Sequence, residues 1–240
     1  MDAGVYSAAS GLEAYLRAQE VLAHNLANVD TGGYKRRLAL FEPFQAELAA
    51  ELGGLAGAEV DDVVVDFSPG PLVTTERPLD LAIQGQGFFV LQAQSGYVYT
   101  RKGSFVLDGE GRVVDTVGRG LVGAGGGPVR IPEETTELVV DREGRVFADG
   151  AEVGRVWVVD IPQPEVLRPA AYTAFALSDG AAAPATLEGA TVVQGAVEGS
   201  NTNAIDELVA MITTLRGFEA AQRALVSIDE SMEQLNEAAS

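Results

Sequence analysis

The chain has 240 residues, 47% of them hydrophobic, and its 35 acidic and 16 basic side chains give a formal charge of −19. This length and apolar content allow one large domain or two small ones, each with a hydrophobic core. The charge disfavours nucleic acid and anionic membranes as partners, because like charges repel. The lack of cysteine excludes a disulfide framework, a thiolate metal site and a cysteine nucleophile.

The first segment predicts a helix that ends near Asn28, where a turn-forming run at 28–34 begins. Along it, residues recur at alternating steps of four and three, the spacing that turns one stripe of a helix toward a partner helix. Charged side chains interrupt the segment, so we expect no cleavable secretory signal, and we expect no membrane span because no apolar run reaches roughly 18 residues. The stripe consists of Val5, Ala9, Leu12, Leu16, Gln19, Ala23 and Leu26.

The sequence between the ends predicts a mainly β region. Short runs of Val, Ile, Phe and Tyr are separated by Gly, Pro and Asp at hairpin-like intervals. The runs 108–111 and 141–144 are predicted turns, and one or two strands are predicted in 161–199, which is rich in Pro, Ala and Gly. The other predicted strands lie at 63–67, 79–83, 87–91, 97–100, 104–107, 112–115, 137–140, 146–148 and 153–160.

The last segment predicts a second helix from about Thr202 to Glu237, roughly 50 Å long at 1.5 Å per residue. The periodicity leaves open whether the two terminal helices pair within one chain or pack against other copies. The fold class is therefore α+β, with long terminal helices forming a coiled-coil-like stem and a central mainly β domain. The stripe of the second helix consists of Ile205, Leu208, Ile212, Leu215, Phe218, Gln222, Leu225, Ile228, Met232 and Leu235.

Residue types that carry catalysis or metal binding are sparse. The single histidine, His24, lies in the first helix, where a helix-surface or interface role is favoured over a Ser-His-Asp device. We predict no catalytic, cofactor-binding or metal-binding residue, because one histidine without cysteine excludes the usual zinc sets. The glycine-rich runs 84–87 and 123–127 precede strand-like segments, which favours tight turns over phosphate loops. Paired carboxylates leave one alternative, a glycan-binding or carbohydrate-active module.

Motifs at both ends and in the middle of the chain resemble those of the bacterial flagellar hook and basal-body rod family. YSAASGL at 6–12 and NLANVDTGGYK at 25–35 are similar to its N-terminal signature. RPLDLAIQGQGFF at 77–89 and YTRKGSF at 99–105 are similar to its β domain, and EGSNTN at 198–203 with RGFE at 216–219 resembles its C-terminal segment.

The resemblance implies a structural subunit rather than an enzyme, with no cofactor. It would be exported through the flagellar type III apparatus and self-assemble with other axial rod and hook proteins into the tubular rod of the basal body, in the cell envelope. The length and the short connector favour a proximal rod subunit; a distal rod or hook-type subunit is the alternative.

The residue pattern, taken with the resemblance, predicts a division of the chain, a set of connector and turn residues and an assembly interface. A helical core segment covers 1–35, a connector 36–60, a β-rich domain 61–199 and a second helical core segment 200–240. The connector and turn residues are Asn25, Asn28, Gly33, Asn201 and Asn203. The assembly interface would contain Val5, Leu12, Leu16, Leu26, Ile205, Leu208, Ile212, Leu215, Phe218 and Leu225.

Overall fold

The computed structural model describes residues 2–43 and 58–239, which form an α+β fold divided into two compact units. The first, here called the helical unit, takes its described residues from Met1–Val29, Arg36–Asp66 and Thr202–Ser240. The second, the β unit, consists of Asp30–Lys35 and Phe67–Asn201. Helices at both ends and a mainly β middle confirm the predicted fold class, while a coiled-coil stem stays a prediction.

The helical unit contains two long helices and a hairpin. Helix α1 spans Asp2–Ala27 and helix α2 spans Ala204–Ala239, close to the predicted limits. Strands β1, Arg37–Pro43, and β2, Ala58–Val65, pair in antiparallel register. Strand β1 and the first residues of β2 fall within 36–60, the segment interpreted from sequence as a connector. Residues 44–57 of that segment lie outside the described residues.

Asparagine side chains mark the inner ends of both helices. After α1, the Asn28 amide donates to the His24 carbonyl at 2.8 Å, and the Asn28 N–H donates to the Asn25 carbonyl at 3.0 Å. Before α2, the Asn203 side-chain oxygen accepts the N–H of Ile205 at 2.9 Å, an arrangement that satisfies an otherwise unpaired donor of the first turn. Local hydrogen bonds of this kind explain why the helices stop and start where the sequence predicts.

The two helices pack against each other through small residues. Ala14 and Ala18 are buried on α1. On α2, a Cβ added at Gly217 would lie 2.6 Å from the Tyr15 ring, closer than carbon atoms can approach. The helices therefore pair within the chain, but mainly through a face other than the predicted stripe.

The β unit is built from antiparallel strands. The strands are β3 Leu72–Thr74, β4 Leu81–Gln84, β5 Phe88–Ala93, β6 Gly96–Thr100, β7 Phe105–Leu107, β8 Val113–Asp115, β9 Gly120–Leu121, β10 Leu138–Val140, β11 Arg145–Ala148, β12 Ala151–Arg155, β13 Val158–Asp160, β14 Leu167–Pro169, β15 Ala174–Leu177, β16 Ala185–Thr186, β17 Thr191–Gln194 and β18 Ala196–Glu198. A 3-10 helix spans Pro164–Val166.

The largest sheet of the β unit has nine strands in the order β14-β15-β6-β5-β9-β8-β7, with β13 pairing with both β5 and β16. Smaller sheets have the orders β10-β11-β12, β17-β4 and β18-β3.

The core of the β unit lies among these sheets. Phe89, Leu91, Phe105 and Leu121 are completely buried, and the rings of Phe89 and Phe105 meet edge to face at 5.6 Å between centroids. Such contacts bury large apolar surfaces in well-defined geometry, so this unit has a core of its own.

Three turns of the β unit repeat one pattern, Asp-x-x-Gly-Arg, at 108–112, 115–119 and 141–145. In each, one Asp oxygen accepts backbone N–H groups two and four residues later, and the other accepts the Arg Nε at 2.7–2.8 Å. The glycine has a positive φ in all three turns. The structure therefore confirms turns at 108–111 and 141–144 and adds the arginine, which the sequence reading did not include.

The strand predictions were least accurate near the end of the β unit. The single run predicted at 153–160 divides into β12 and β13, and 161–199 holds five strands instead of one or two. Strands β17 and β18 pair with β4 and β3, which come from the beginning of the unit. Their hydrogen-bonding partners are therefore remote in sequence, and the local composition of Pro, Ala and Gly does not reveal them.

Candidate functional site

Helix α2 carries large apolar side chains on its solvent-exposed side. The exposed fraction is 70% for Ile205 and 53% for Ile212. At 100° per residue these side chains lie opposite the buried Glu207 and the half-buried Thr214 and Ala221, which mark the packed face. We call this surface the α2 stripe; it consists of Ile205, Leu208, Val209, Ile212 and Leu215.

The other predicted interface residues fall into three groups. Leu16 of α1 is 49% exposed, whereas Leu12, Leu26, Phe218 and Leu225 are half-buried. The side chain of Val5 lies outside the described ones, as do those of Ile228, Met232 and Leu235, which belong only to the predicted stripe of the second helix. The structure thus leaves the larger apolar residues of the first turns of α2, and Leu16 of α1, in contact with solvent.

A buried carboxylate ties three elements of the helical unit together. Glu207, in the first turn of α2, is fully buried, and its Oε1 accepts the Arg36 Nε at 2.5 Å. Its Oε2 accepts the Asn25 amide at 3.2 Å. Asn25 in turn donates to the Arg37 carbonyl at 2.8 Å and accepts the Arg37 N–H at 2.9 Å. Asn25, predicted as a connector residue, therefore joins α1 to the beginning of β1 and to α2.

A second buried carboxylate, Glu198 at the end of β18, organises one part of the β unit. Its Oε1 accepts the Lys35 Nζ at 2.6 Å and the Gly70 N–H at 2.9 Å, and its Oε2 accepts the Arg101 Nη1 at 3.1 Å. Lys35 also donates to the Ser68 carbonyl at 2.7 Å. Two cations around one carboxylate give the described cluster an excess of positive charge.

Arg101 belongs to that cluster and is almost fully buried. It donates to the carbonyls of Ile83 and Gly85 and lies 5.4 Å from the centre of the Phe88 ring. Burial lowers the pKa of Arg101, and the charge and hydrogen bond of Glu198 oppose that shift. Backbone carbonyls, an aromatic face and a carboxylate together stabilise a charge that burial alone would penalise.

Two further predicted turn residues lie in the β unit. Gly33 has φ +67°, and a Cβ there would lie 2.3 Å from the Lys102 nitrogen, so this position requires glycine. Its N–H donates to the Glu198 carbonyl at 2.7 Å. The Asn201 amide donates to the carbonyl and the hydroxyl of Ser68, each at 3.1 Å.

Catalytic chemistry finds little support among the described residues. His24 is exposed on α1, and partial burial, followed by the charge of Arg37, lowers its pKa. Within 2–43 and 58–239 there is no cluster of three or more His, Asp or Glu side chains that could hold a metal ion. A Cβ at Gly87 would come within 2.9 Å of Leu187 and Val158, in agreement with a tight turn.

Sequence patterns do not mark as clusters the buried charged residues, which are Lys35, Arg36, Arg101, Glu198 and Glu207. The available signal was weak. Glu198 follows the apolar pair Ala196 and Val197, and Glu207 is one of two acidic residues at the start of α2. Their burial depends on partners far away in sequence, which local patterns do not identify.

No helix in the described part of the chain is long and apolar enough to cross a membrane. Family models match three segments of the chain. Residues 5–35 match the model described as flagella basal body rod protein, 82–148 the flagellar hook protein FlgE/F/G D1 domain, and 193–238 the flagellar basal body rod FlgEFG protein C-terminal segment. The three matches keep the order that the sequence motifs predicted.

Similar proteins match over nearly their whole length. The flagellar basal-body rod protein FlgF of Salmonella typhimurium is 31% identical, with 99% of this chain and 98% of the relative covered. FlgF of Caulobacter vibrioides is 30% identical over 93% of this chain and 92% of its own length. The rod protein FlgG of Bacillus subtilis is 29% identical over 96% of this chain and 97% of its own length.

Proposed function

The chain belongs to the flagellar basal-body rod protein family, and from this membership we propose that it is exported by the flagellar type III apparatus and self-assembles through its terminal helices. As a member, it is a structural subunit of the basal-body rod in the cell envelope, not an enzyme, and assembles with other flagellar axial proteins. The export route and the surfaces that bind neighbouring subunits are the parts that we propose beyond family membership.

The observation that carries the self-assembly proposal is the α2 stripe. Burying a Leu or Ile side chain contributes about 1.5–3 kcal/mol, and the members of the stripe are largely exposed in the single chain. A contiguous apolar surface on an exposed helix face is typical of a protein interface. Terminal helices of neighbouring copies, in a coiled-coil-like stem, would cover it.

The proposed interface retains the residues predicted from sequence. The most exposed residues of the α2 stripe contribute most to this interface, and Leu16 contributes to it from α1. Residues 1–35 and 200–240 act as the assembling segments, 61–199 as the β-rich domain and 36–60 as the connector between them. Export in an unfolded state is compatible with the absence of disulfides, since the chain contains no cysteine.

Within the rod we propose the proximal position, because the chain is short and its connector between the first helix and the β region is brief. Relatives named FlgF and FlgG match at similar identity. A distal rod or hook-type subunit is the alternative. The carbohydrate-active alternative has no specific support: the buried carboxylate of Asp115, for example, binds Arg119 and two backbone N–H groups of its turn.

A pair of neighbouring substitutions on α2 tests the proposal. Ile212→Glu places a charge in the α2 stripe, whereas Thr213→Glu makes a similar change at an exposed residue 100° around the helix. In a strain lacking the gene, we expect Thr213→Glu to restore swimming and hooks, as seen by electron microscopy, and Ile212→Glu to fail while its protein is still produced. Full restoration by Ile212→Glu would contradict assembly through the stripe.

A further inference from the structure

The β unit presents one aromatic side chain on a strained and well-anchored loop. Tyr172, in the turn between β14 and β15, is 74% exposed, and its φ is +62°. A bulky residue rarely adopts a positive φ, and such strain is typical of functional positions. The exposure of Tyr172 therefore needs a reason beyond the turn itself.

Hydrogen bonds hold the loop on both sides of this tyrosine. The Arg119 Nη1 donates to the Ala171 carbonyl at 3.3 Å, and the buried Thr100 hydroxyl donates to the Thr173 carbonyl at 2.9 Å. The Ala170 N–H donates to the Ala174 carbonyl at 2.8 Å. The backbone that carries Tyr172 is thus held in place before any partner arrives, which lowers the entropic cost of ordering the loop on binding.

The opposite end of the same hairpin borders an apolar cleft. Leu167 of β14 pairs with Leu177 of β15 at this end, about 15 Å from the tyrosine at 3.3 Å per residue. The cleft has a volume of 390 Å³ and is lined by Ile161, Val166, Leu177 and Pro184, among others. Pockets above about 300 Å³ can enclose a small ligand, so an aromatic ring fits.

The charges near the two features are complementary. Lys102, whose Nζ lies 3.2 Å from the Thr116 hydroxyl, and Arg119 lie on the tyrosine side, with Asp115 as the partner of Arg119. Asp160 lines the cleft. The exposed Glu165 and Asp179 lie on the segments that line the cleft. Arg168 lies on the same side, where its Nε donates to the Ser178 hydroxyl at 3.2 Å. Among the side chains named here, those on the tyrosine side carry one excess positive charge and those on the cleft side two excess negative charges.

We infer that Tyr172 of one subunit inserts into the 161–185 cleft of a second copy of this chain, as an interface between β units that is additional to the helical one. The inference rests on the proposed self-assembly. Tyr172 and the cleft lie on different surfaces of one molecule. The contact is therefore heterologous and does not close on itself, as a growing filament requires. Tyrosine is also one of the residue types enriched among the side chains that contribute most to protein interfaces.

Chemical cross-linking tests the inference directly, because the chain has no cysteine of its own. Ala171→Cys lies beside the tyrosine and Ala183→Cys lines the cleft, both at exposed positions that leave Tyr172 intact. In assembled full-length protein, a short bis-maleimide should join the double variant into a ladder of dimers, trimers and larger species. An equal mixture of the two single variants should give dimers only.

Matched variants separate this contact from proximity in general. Replacing Ala183→Cys by Ala151→Cys, an exposed position on β12, should abolish the ladder. Tyr172→Ala should raise the concentration needed for assembly about 30-fold, the loss of an aromatic hot spot, whereas Tyr97→Ala at another exposed tyrosine should change it less than threefold. The thermal midpoint of each variant shows whether it is folded.

The outcomes distinguish the inference from the proposed function. If electron microscopy shows assembly but cross-linking gives no ladder, the contact between Tyr172 and the cleft is overturned, whereas assembly through the terminal helices is not. Dimers of the Ala171→Cys single variant alone would mean that two tyrosine loops meet, which also overturns it. Failure of the unmodified chain to assemble under any condition contradicts the proposed self-assembly, and this interface with it.

Discussion

The helical unit and the β unit stabilise themselves in opposite ways. In the β unit large apolar side chains such as Phe89 and Phe105 are fully buried. In the helical unit Ile205 and Ile212 are mostly exposed, and the helices meet through Ala14, Ala18 and the Gly217 position. The β unit therefore has a sufficient core of its own, whereas the helical unit leaves apolar surface for a partner.

Charged groups show a similarity behind that contrast. In each unit a buried carboxylate connects segments remote in sequence, Glu207 in the helical unit and Glu198 in the β unit. Their cationic partners Arg36 and Lys35 are neighbours in the chain. Removing one member of a buried pair leaves the other charge without compensation, which costs about 3–5 kcal/mol.

The largest effect is expected from the buried cluster of the β unit. Glu198→Gln leaves Lys35 and Arg101 buried without their carboxylate and should lower the free energy of unfolding by about 3–5 kcal/mol. Urea unfolding followed by the fluorescence of Trp157, the only tryptophan, reports on this unit. Glu188→Gln, at an exposed glutamate of the same unit, is the control and should change stability by less than about 0.5 kcal/mol. Equal stability of the two variants would contradict a structural role for the cluster.

A comparison of apolar truncations tests the contrast between the units themselves. Phe105→Ala should destabilise the β unit by about 3–5 kcal/mol, because it removes a fully buried ring and leaves a cavity. Ile205→Ala in the free chain should change the free energy of unfolding by less than about 0.5 kcal/mol, since its side chain is already exposed. Urea unfolding followed by circular dichroism measures the free energy of unfolding of Ile205→Ala. A loss above 2 kcal/mol for Ile205→Ala would show that the stripe is covered within the single chain.

Two glycines should respond to alanine with opposite signs. Gly33→Ala introduces a Cβ at φ +67° against the Lys102 backbone and should destabilise the β unit by at least about 1–3 kcal/mol. Gly11→Ala lies in the interior of α1 with open space around it and should stabilise the helix by about 0.5–1 kcal/mol. Thermal unfolding of the two variants beside the parent chain measures both. The same sign for both changes would mean that backbone conformation does not decide the outcome.

The smallest effect concerns acid stability of a surface turn. The hydrogen bond from the Arg112 side chain, with those of the Arg112 and Glu110 N–H groups, lowers the pKa of Asp108. A lowered folded-state pKa contributes stability above the ordinary carboxyl value near 4, and this contribution disappears as the pH falls through the lowered pKa. Asp108→Asn should therefore reduce the fall of the unfolding midpoint as the pH drops below the ordinary carboxyl value of about 4. An unchanged slope would exclude a contribution from this turn.

The sequence predicted elements whose signals are local. The ends of both helices, the strands from 79 to 115 and the turns at 108–111 and 141–144 follow from periodicity, Asn and Gly positions and alternation. The family resemblance, based on motifs at 6–12, 25–35 and 198–203, is confirmed by the family models and relatives.

The features missed from sequence depend on remote partners. Strands β17 and β18 form because β4 and β3 lie beside them, and Glu198 is buried because Lys35 and Arg101 neutralise it. The packed face of α2 was missed because alanine, glycine and Glu207 line it, whereas hydrophobic periodicity marks the large residues of the exposed side.

The α2 stripe is exposed in the free chain, and we propose that it is covered in the assembled rod. A single cysteine introduced by Ile212→Cys, and in a control chain by Glu152→Cys at an exposed position on β12, can be labelled with a maleimide in both states, since the chain has no cysteine. We predict that assembly slows labelling of the Ile212→Cys chain at least tenfold relative to the free chain. Equal labelling rates in free and assembled protein would contradict the claim that these helices build the rod through this surface.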